Sequence, residues 1–329
     1  MNSVKAVGVD IGGTKIFAAL ADCNGRILSE CKTSTPKTRR EILAALANAI
    51  SRVKGKEKIK GIGVGFAGFV DSEKGIVISS PNMPAIRGTK VKAFLEKRFG
   101  CRIALENDVN MFALGEYFFG FGGKFKNVVA LTIGTGIGSG IIINGRLLKG
   151  KGIASESGHT IIAADSGRKC ACGNSGCFEA MACGAALVER ANALGLNAKN
   201  AEEVAKKAKA GNKAAIRAVK ETARFLGIGL ANLANAFDPE AIVIGGGLSN
   251  IPLLLGEAEK EMQKHVVVKK RTKVFREKLQ GKGAVLGAAA CALDSFILLE
   301  KKPGASGLGK RAHCVRMQKN FKGMGKTIQ

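Results

Sequence analysis

Aromatic side chains are scarce in this sequence, which has no tryptophan, one tyrosine and 16 phenylalanines. Acids are scarce as well: 26 Asp and Glu stand against 52 Lys and Arg, a formal net charge of +26. A surplus that large invites a nucleic-acid partner. Yet basic residues interleaved with stacking rings are missing, and no segment of helix-turn-helix size precedes Val4. The charge therefore reads as solubility and attraction for anionic ligands, and no specific nucleic-acid partner is expected. No apolar run approaches the roughly 20 residues of a membrane helix. Residues 1–9 also lack the basic start and long apolar stretch of an export signal. These absences predict a cytoplasmic protein without a membrane partner. In that compartment nine cysteines, an odd number, do not suggest a disulfide framework, so the thiols are assigned to metal or core.

What the chain does contain is a dense group of metal-ligating residue types. Glu156-Ser157-Gly158-His159 is followed by Cys170-Ala171-Cys172-Gly173-Asn174-Ser175-Gly176-Cys177-Phe178-Glu179. One imidazole and three thiols suit zinc(II), which prefers such ligands and, with four of them, keeps no open position for a reacting water. The spacing predicts a structural zinc on His159, Cys170, Cys172 and Cys177; a glycine-rich turn holding buried thiols is the plainer alternative. Zinc alone does not explain the flanking Glu156 and Glu179.

A second signal is a repeat. Residues 4–9 form a short apolar run that stops at Asp10-Ile11-Gly12-Gly13-Thr14-Lys15; residues 16–21 resume it, and Asn24-Gly25 turns into a third strand over 26–32. The plan recurs as an apolar run over 128–133, then Gly134-Thr135-Gly136-Ile137-Gly138, residues 140–143 and Asn144-Gly145-Arg146. Glycines without a Cβ let backbone N–H groups approach an anion, so each turn is a candidate phosphate loop. Their duplication predicts two α/β lobes of similar topology.

Between and after the repeats, apolar spacing predicts a helix over 41–53 and a buried strand over 59–66. Pro81-Asn82-Met83-Pro84 is a turn in which Asn82 is either a turn former or a ligand-binding amide. Residues 102–105 form a strand, and Glu106-Asn107-Asp108 opens a helix. Asn107 and Asp108 are by default its cap. An acid between a strand's carboxyl end and a helix's amino end also sits where open α/β sheets bind ligands, which makes Asp108 a candidate base. Helices are predicted over 180–194, 201–210 and 214–237. A strand over 241–244 then feeds Gly245-Gly246-Gly247, a nucleotide-approach geometry. A final apolar helix covers 283–299, and residues 301–329, with eight Lys and Arg and no acid, form a basic tail expected to be mobile. The expected division is a lobe over 1–118, joined by the helix over 284–299, a larger lobe over 119–283 carrying the zinc motif, and the tail.

These motifs, in this order, resemble the ROK family of repressors, open reading frames and sugar kinases within the actin-like ATPase superfamily. The resemblance spans about residues 4–299, and the cysteine block after the Glu156–His159 motif is its most specific part. It implies an α/β protein of two ribonuclease-H-like lobes around a central cleft, with the structural zinc in the second lobe, acting as an ATP-dependent sugar kinase. By match to the family motifs, Gly12, Gly13, Thr14 and Lys15 would hold phosphate and Asp10 would act through water on Mg(II). Gly134, Thr135 and Gly136 would form the second phosphate turn, and Gly245, Gly246 and Gly247 would lie against adenosine. Asn82, Asn107, Asp108, Glu156, His159 and Glu179 would grip sugar hydroxyls, with Asp108 as general base. A helix N-terminus is expected to keep that carboxylate ionised and weakly basic. Glucose is the first expected substrate; an N-acetylhexosamine, N-acetylmannosamine or N-acetylglucosamine, is the second. The family also implies a homodimer. A noncatalytic sugar-binding regulator is the rival from another class, and polyphosphate stays open as donor.

Overall fold

The computed structural model describes residues 3–293. In chain order these form β1 (Lys5–Ile11), β2 (Lys15–Asp22), β3 (Ile27–Ser34), α1 (Arg39–Lys54), β4 (Gly61–Phe66), β5 (Phe69–Asp71), β6 (Ile76–Ser79), α2 (Val91–Phe99), β7 (Arg102–Asn107) and α3 (Asp108–Gly115). Then come β8 (Val128–Ile133), β9 (Ile137–Ile143), β10 (Arg146–Leu147), α4 (Phe178–Ala182), α5 (Gly184–Ala193), α6 (Ala201–Lys209), α7 (Lys213–Phe237), β11 (Ala241–Gly245), α8 (Pro252–His265), β12 (Lys273–Arg276) and α9 (Gly283–Ala292). Among the described residues one compact unit holds 3–124, 145–147 and 282–293, and a second holds 125–144 and 148–281. The basic tail over 301–329 lies outside the described residues, as does the end of the helix predicted over 283–299. No described helix is long and apolar enough to cross a membrane.

The duplication read from sequence is a duplication of topology. In the first unit the strand order is β3-β2-β1-β4-β7; β1 runs antiparallel to β2 and parallel to β4, which is parallel to β7. In the second unit β9-β8-β11-β12 follow one another. There β8 is antiparallel to β9 and parallel to β11, which is parallel to β12. The paired residues flanking the two glycine turns also correspond, Ile11 with Ile16 and Ile133 with Ile137.

Strands paired in parallel inside a sheet are covered on both faces, and β4 and β11 are buried along their whole length. Ile42, Leu46 and Ile50 recur at helical spacing on α1 and join Val7, Val9, Ile62 and Val64 in one core. Thr38 caps that helix by accepting from the Glu41 N–H, a contact that stabilises a helix by about 1 kcal/mol. The alternate residues of β1 and β4, Gly8 and Gly63, meet α9. A methyl on Gly8 would overlap the Val285 carbonyl, and one on Gly63 the Ala288 carbonyl. The final helix therefore docks backbone to backbone on the first unit.

One predicted helix is broken. Residues 180–194 divide into α4 and α5 at Cys183, whose backbone is extended (φ −80°, ψ 177°). The Gly184 N–H turns out of the helix to the Gly134 carbonyl, at 2.8 Å, so the second glycine turn fixes the start of α5.

Candidate active site

In the first unit the parallel strands end in step. Asp10 is in register with Gly65, and Gly65 with Glu106; Ile11, Phe66 and Asn107 make the next row. A methyl on Gly65 would lie 3.4 Å from the Asp108 Cα, so this side-chain-free position lets the start of α3 settle over the sheet edge. Asp10 and Asp108 are thereby brought together, each half-buried. Burial first, then the charge of Asp108, push Asp10 from 3.8 up to about 7 against the pull of Lys15. Burial also pushes Asp108 upward. This corrects the expectation of a weakly basic Asp108: amides at the start of α3 do lower it, but desolvation of the charged form outweighs them.

The neighbouring residues are held firmly. Asn107 caps α3, its Oδ1 accepting from the N–H groups of Val109 (2.8 Å) and Asn110 (3.1 Å) while Nδ2 donates to the Gly68 carbonyl at 3.1 Å. The Gly12–Lys15 turn is braced by Thr35, whose hydroxyl donates to the Gly12 carbonyl at 2.7 Å and whose N–H donates to the Thr14 carbonyl at 3.0 Å. Asn82 packs on the same turn, since a methyl on Gly13 would lie 2.6 Å from its Cβ. Among the described residues the N–H groups of Gly13 and Thr14 meet no acceptor. Two such amides in one tight turn suit an anion.

The second unit repeats the device. Gly134 N–H donates to the Gly136 carbonyl at 2.9 Å, and the N–H groups of Thr135 and Gly136 meet no acceptor among the described residues. Gly246, at the end of the adjacent parallel strand β11, has φ +85°, and a Cβ there would lie 2.6 Å from the Ile133 carbonyl oxygen. Gly134–Gly136 and Gly245–Gly247 therefore sit at the carboxyl ends of neighbouring strands.

His159 ends a single 3-10 turn (Ser157–His159), and the three thiols ride on a knuckle. That knuckle is closed by Cys170 N–H to the Asn174 carbonyl (2.8 Å) and Gly173 N–H to the Cys170 carbonyl (3.0 Å). The two segments are laced by Ile162 N–H to the Gly176 carbonyl (2.9 Å) and Phe178 N–H to the Thr160 carbonyl (2.8 Å). Ligand atoms of His159, Cys170, Cys172 and Cys177 all fall within 4.8 Å of one another. His159 Nδ1 is 3.6 Å from Cys170 Sγ, and Cys172 Sγ is 3.6 Å from Cys177 Sγ. A tetrahedron with bonds of about 2.3 Å to sulfur and about 2.0 Å to nitrogen has edges of roughly 3.6 to 3.8 Å, so the donor set fits zinc. Burial pushes the Cys177 thiol up to about 12 and Cys170 upward too, while the Asn174 backbone amide lowers exposed Cys172.

With Nδ1 facing sulfur, the other ring nitrogen of His159 lies 4.0 Å from Glu156 Oε2. Glu179 Oε2 accepts from the Ile137 N–H at 2.9 Å, and Oε1 is 3.8 Å from Cys170 Sγ. The sequence-predicted residues thus form two groups: Asp10, Gly12 to Lys15, Asn82, Asn107 and Asp108 in the first unit, and the two glycine turns, the acids and the thiol–imidazole knot in the second. Sequence reasoning missed Thr35, because a threonine after a strand carries no signal. It also missed Ser139, which bonds the Ser155 carbonyl and accepts from the Ser157 N–H. A buried serine inside the apolar strand β9 is a signal that could have found it.

The sequence model of the ROK family matches residues 6–295. A glucokinase from Streptomyces coelicolor is 38% identical over 310 residues, covering 88% of this chain and 97% of its own. An N-acetyl-D-glucosamine kinase from Vibrio cholerae is 31% identical over 295 residues, covering 86% and 97%. Among solved structures, a ROK family glucokinase from Streptomyces griseus in complex with glucose and AMPPNP superposes with a TM-score of 0.77 at 35% identity, covering 87% of this chain and 98% of that one.

Proposed function

The chain belongs to the ROK family, and from that premise we propose that this sugar kinase transfers the γ-phosphoryl group of ATP to a hexose hydroxyl, converting glucose to glucose 6-phosphate. The observation that carries the reading is the Asp10–Asp108 pair at the sheet edge beside a glycine turn with unpaired amides. Relatives named glucokinase, one solved with glucose and AMPPNP, support it. The repeated sheet order supports a ribonuclease-H-like reading of each unit.

Phosphoryl transfer passes through a loose transition state, so the protein's task is to position the reactants and to balance charge. Amides of Gly13, Thr14, Thr135 and Gly136 would hold the phosphates, and the Gly245–Gly247 run would lie against the adenosine. Two facing carboxyls beside a phosphate turn fit a divalent cation, with Asp10 acting through water; magnesium, when bound, supplies charge neutralisation. Asp108 accepts the proton of the sugar hydroxyl, and its raised pKa makes it a stronger base than a free carboxylate. Asn82 and Asn107 of the first unit, and Glu156, His159 and Glu179 of the second, would hold the remaining hydroxyls. His159, Cys170, Cys172 and Cys177 would bind a zinc whose closed shell fixes the imidazole without activating water. With Nδ1 on the metal side, Nε2 keeps its hydrogen for a sugar oxygen.

A coupled ADP-release assay with Mg-ATP and a panel of glucose, N-acetylglucosamine, N-acetylmannosamine, fructose and allose tests the reading. Fast turnover of glucose is expected. Preference for an N-acetylhexosamine would select the second reading, which the Vibrio cholerae relative favours, and no turnover of any sugar would leave the noncatalytic regulator.

A further inference from the structure

Resting on that kinase reading, we infer that Glu179 is a positioning residue that couples the thiol–imidazole knot to the second phosphate turn, so that nucleotide affinity depends on the metal. Glu179 lies in the first turn of α4, two residues after the ligand Cys177. Its Oε2 accepts from the Ile137 N–H at 2.9 Å and rests against the Cα of Gly136, where a methyl would overlap it. Its Oε1 faces Cys170 Sγ at 3.8 Å.

The carbonyl of the same residue is packed against as well. A methyl on Gly158 would overlap the Ile137 carbonyl oxygen and lie 3.6 Å from Glu179 Cβ, and Gly158 precedes the ligand His159. Ile137 is thus held at its N–H by the segment carrying Cys177 and at its carbonyl by the segment carrying His159. Those two segments are the ones a metal ion would join.

Ile137 pairs with Ile133 across the turn, so fixing it fixes Gly134, Thr135 and Gly136 between them. Because the carboxylate takes the Ile137 N–H, the amides left for phosphate are those of Thr135 and Gly136. Phe178 anchors the arrangement from beneath: it is fully buried, and its ring occupies the space where Gly229 would carry a side chain. A carboxylate tied through Oε2 to the Ile137 N–H acts here through the turn, whichever sugar hydroxyl it also meets.

The test is calorimetric titration of AMPPNP with magnesium into zinc-loaded wild type, Glu179→Ala and Glu179→Gln, without sugar, with zinc content measured for each. Glu179→Ala should keep its zinc and bind AMPPNP about tenfold more weakly, the size of one lost charge-assisted hydrogen bond, whereas Glu179→Gln, which keeps an acceptor, should stay within about threefold of wild type. Hydrogen exchange of wild type before and after chelation gives a readout that needs no variant to fold. Exchange over residues 134–140 should rise while residues 10–17 stay protected. Zinc-loaded Glu179→Ala binding AMPPNP as wild type does, unchanged exchange over 134–140, or an equal rise over 10–17 would each overturn the coupling. Wild type that fails to bind AMPPNP would overturn the kinase reading beneath it, so the two failures are distinguishable.

Discussion

At the residue scale the account turns on two acids. Asp108→Ala removes the group proposed to take the proton, and loss of a positioned base lowers rates by about 100-fold to 10,000-fold. That loss should appear in kcat without loss of the fold, checked by circular dichroism. The base works ionised, so activity should fall as pH drops through its pKa. Since burial raises Asp108, the acid limb of kcat/KM should lie above the ordinary carboxylate range. Asp10 has a stability signature. It holds a proton up to about pH 7 when folded and to about 3.8 when unfolded, so its contribution is complete below the lower value and lost as pH rises through the upper one. The shift corresponds to about 4 kcal/mol, reduced to about 2 kcal/mol by water at its exposed side. Urea melts without magnesium should show Asp10→Asn gaining that amount over wild type between pH 4 and pH 8.

At the element scale, glycine contacts separate positions that look alike in sequence. Gly63→Ala drives a methyl into the Ala288 carbonyl of α9 and should cost about 3 kcal/mol, the upper end for overpacking, since backbone cannot yield as a side chain can. Gly256, exposed on α8, has nothing within 4 Å of the added methyl, so Gly256→Ala should stabilise by up to about 1 kcal/mol. Urea denaturation of both variants checks the contrast. The same distinction sets what was legible. Two apolar runs around glycines gave β1, β2, β8 and β9, because turn and strand signals are local. The knuckle was legible because its ligands are close in sequence. The break at Cys183 was not, because the Gly134 carbonyl that takes the Gly184 N–H lies 50 residues earlier. Nor was the way α9 seats on the first unit: nearly all its positions are buried, so no polar face marks the side that meets Gly8 and Gly63. The upward shift of Asp108 also needed the structure, since desolvation depends on neighbours brought in by folding.

At the scale of the whole molecule, one topology occurs twice, each time with a glycine turn after its first strand, and the second copy adds a thiol–imidazole knot. Removing the metal should therefore affect one unit first. Chelation is expected to abolish glucose binding by calorimetry while leaving the first unit's amides protected, and added zinc should restore binding. The surplus of basic residues gives the chain an attraction for anionic ligands that salt weakens. The most direct measurement remains ADP release with Mg-ATP and glucose, comparing the full chain with Asp108→Asn. The account predicts glucose-dependent ADP release by the wild type and a loss of at least about 100-fold in the variant. Equal rates for the two proteins, or no sugar-dependent release by the wild type, would contradict it.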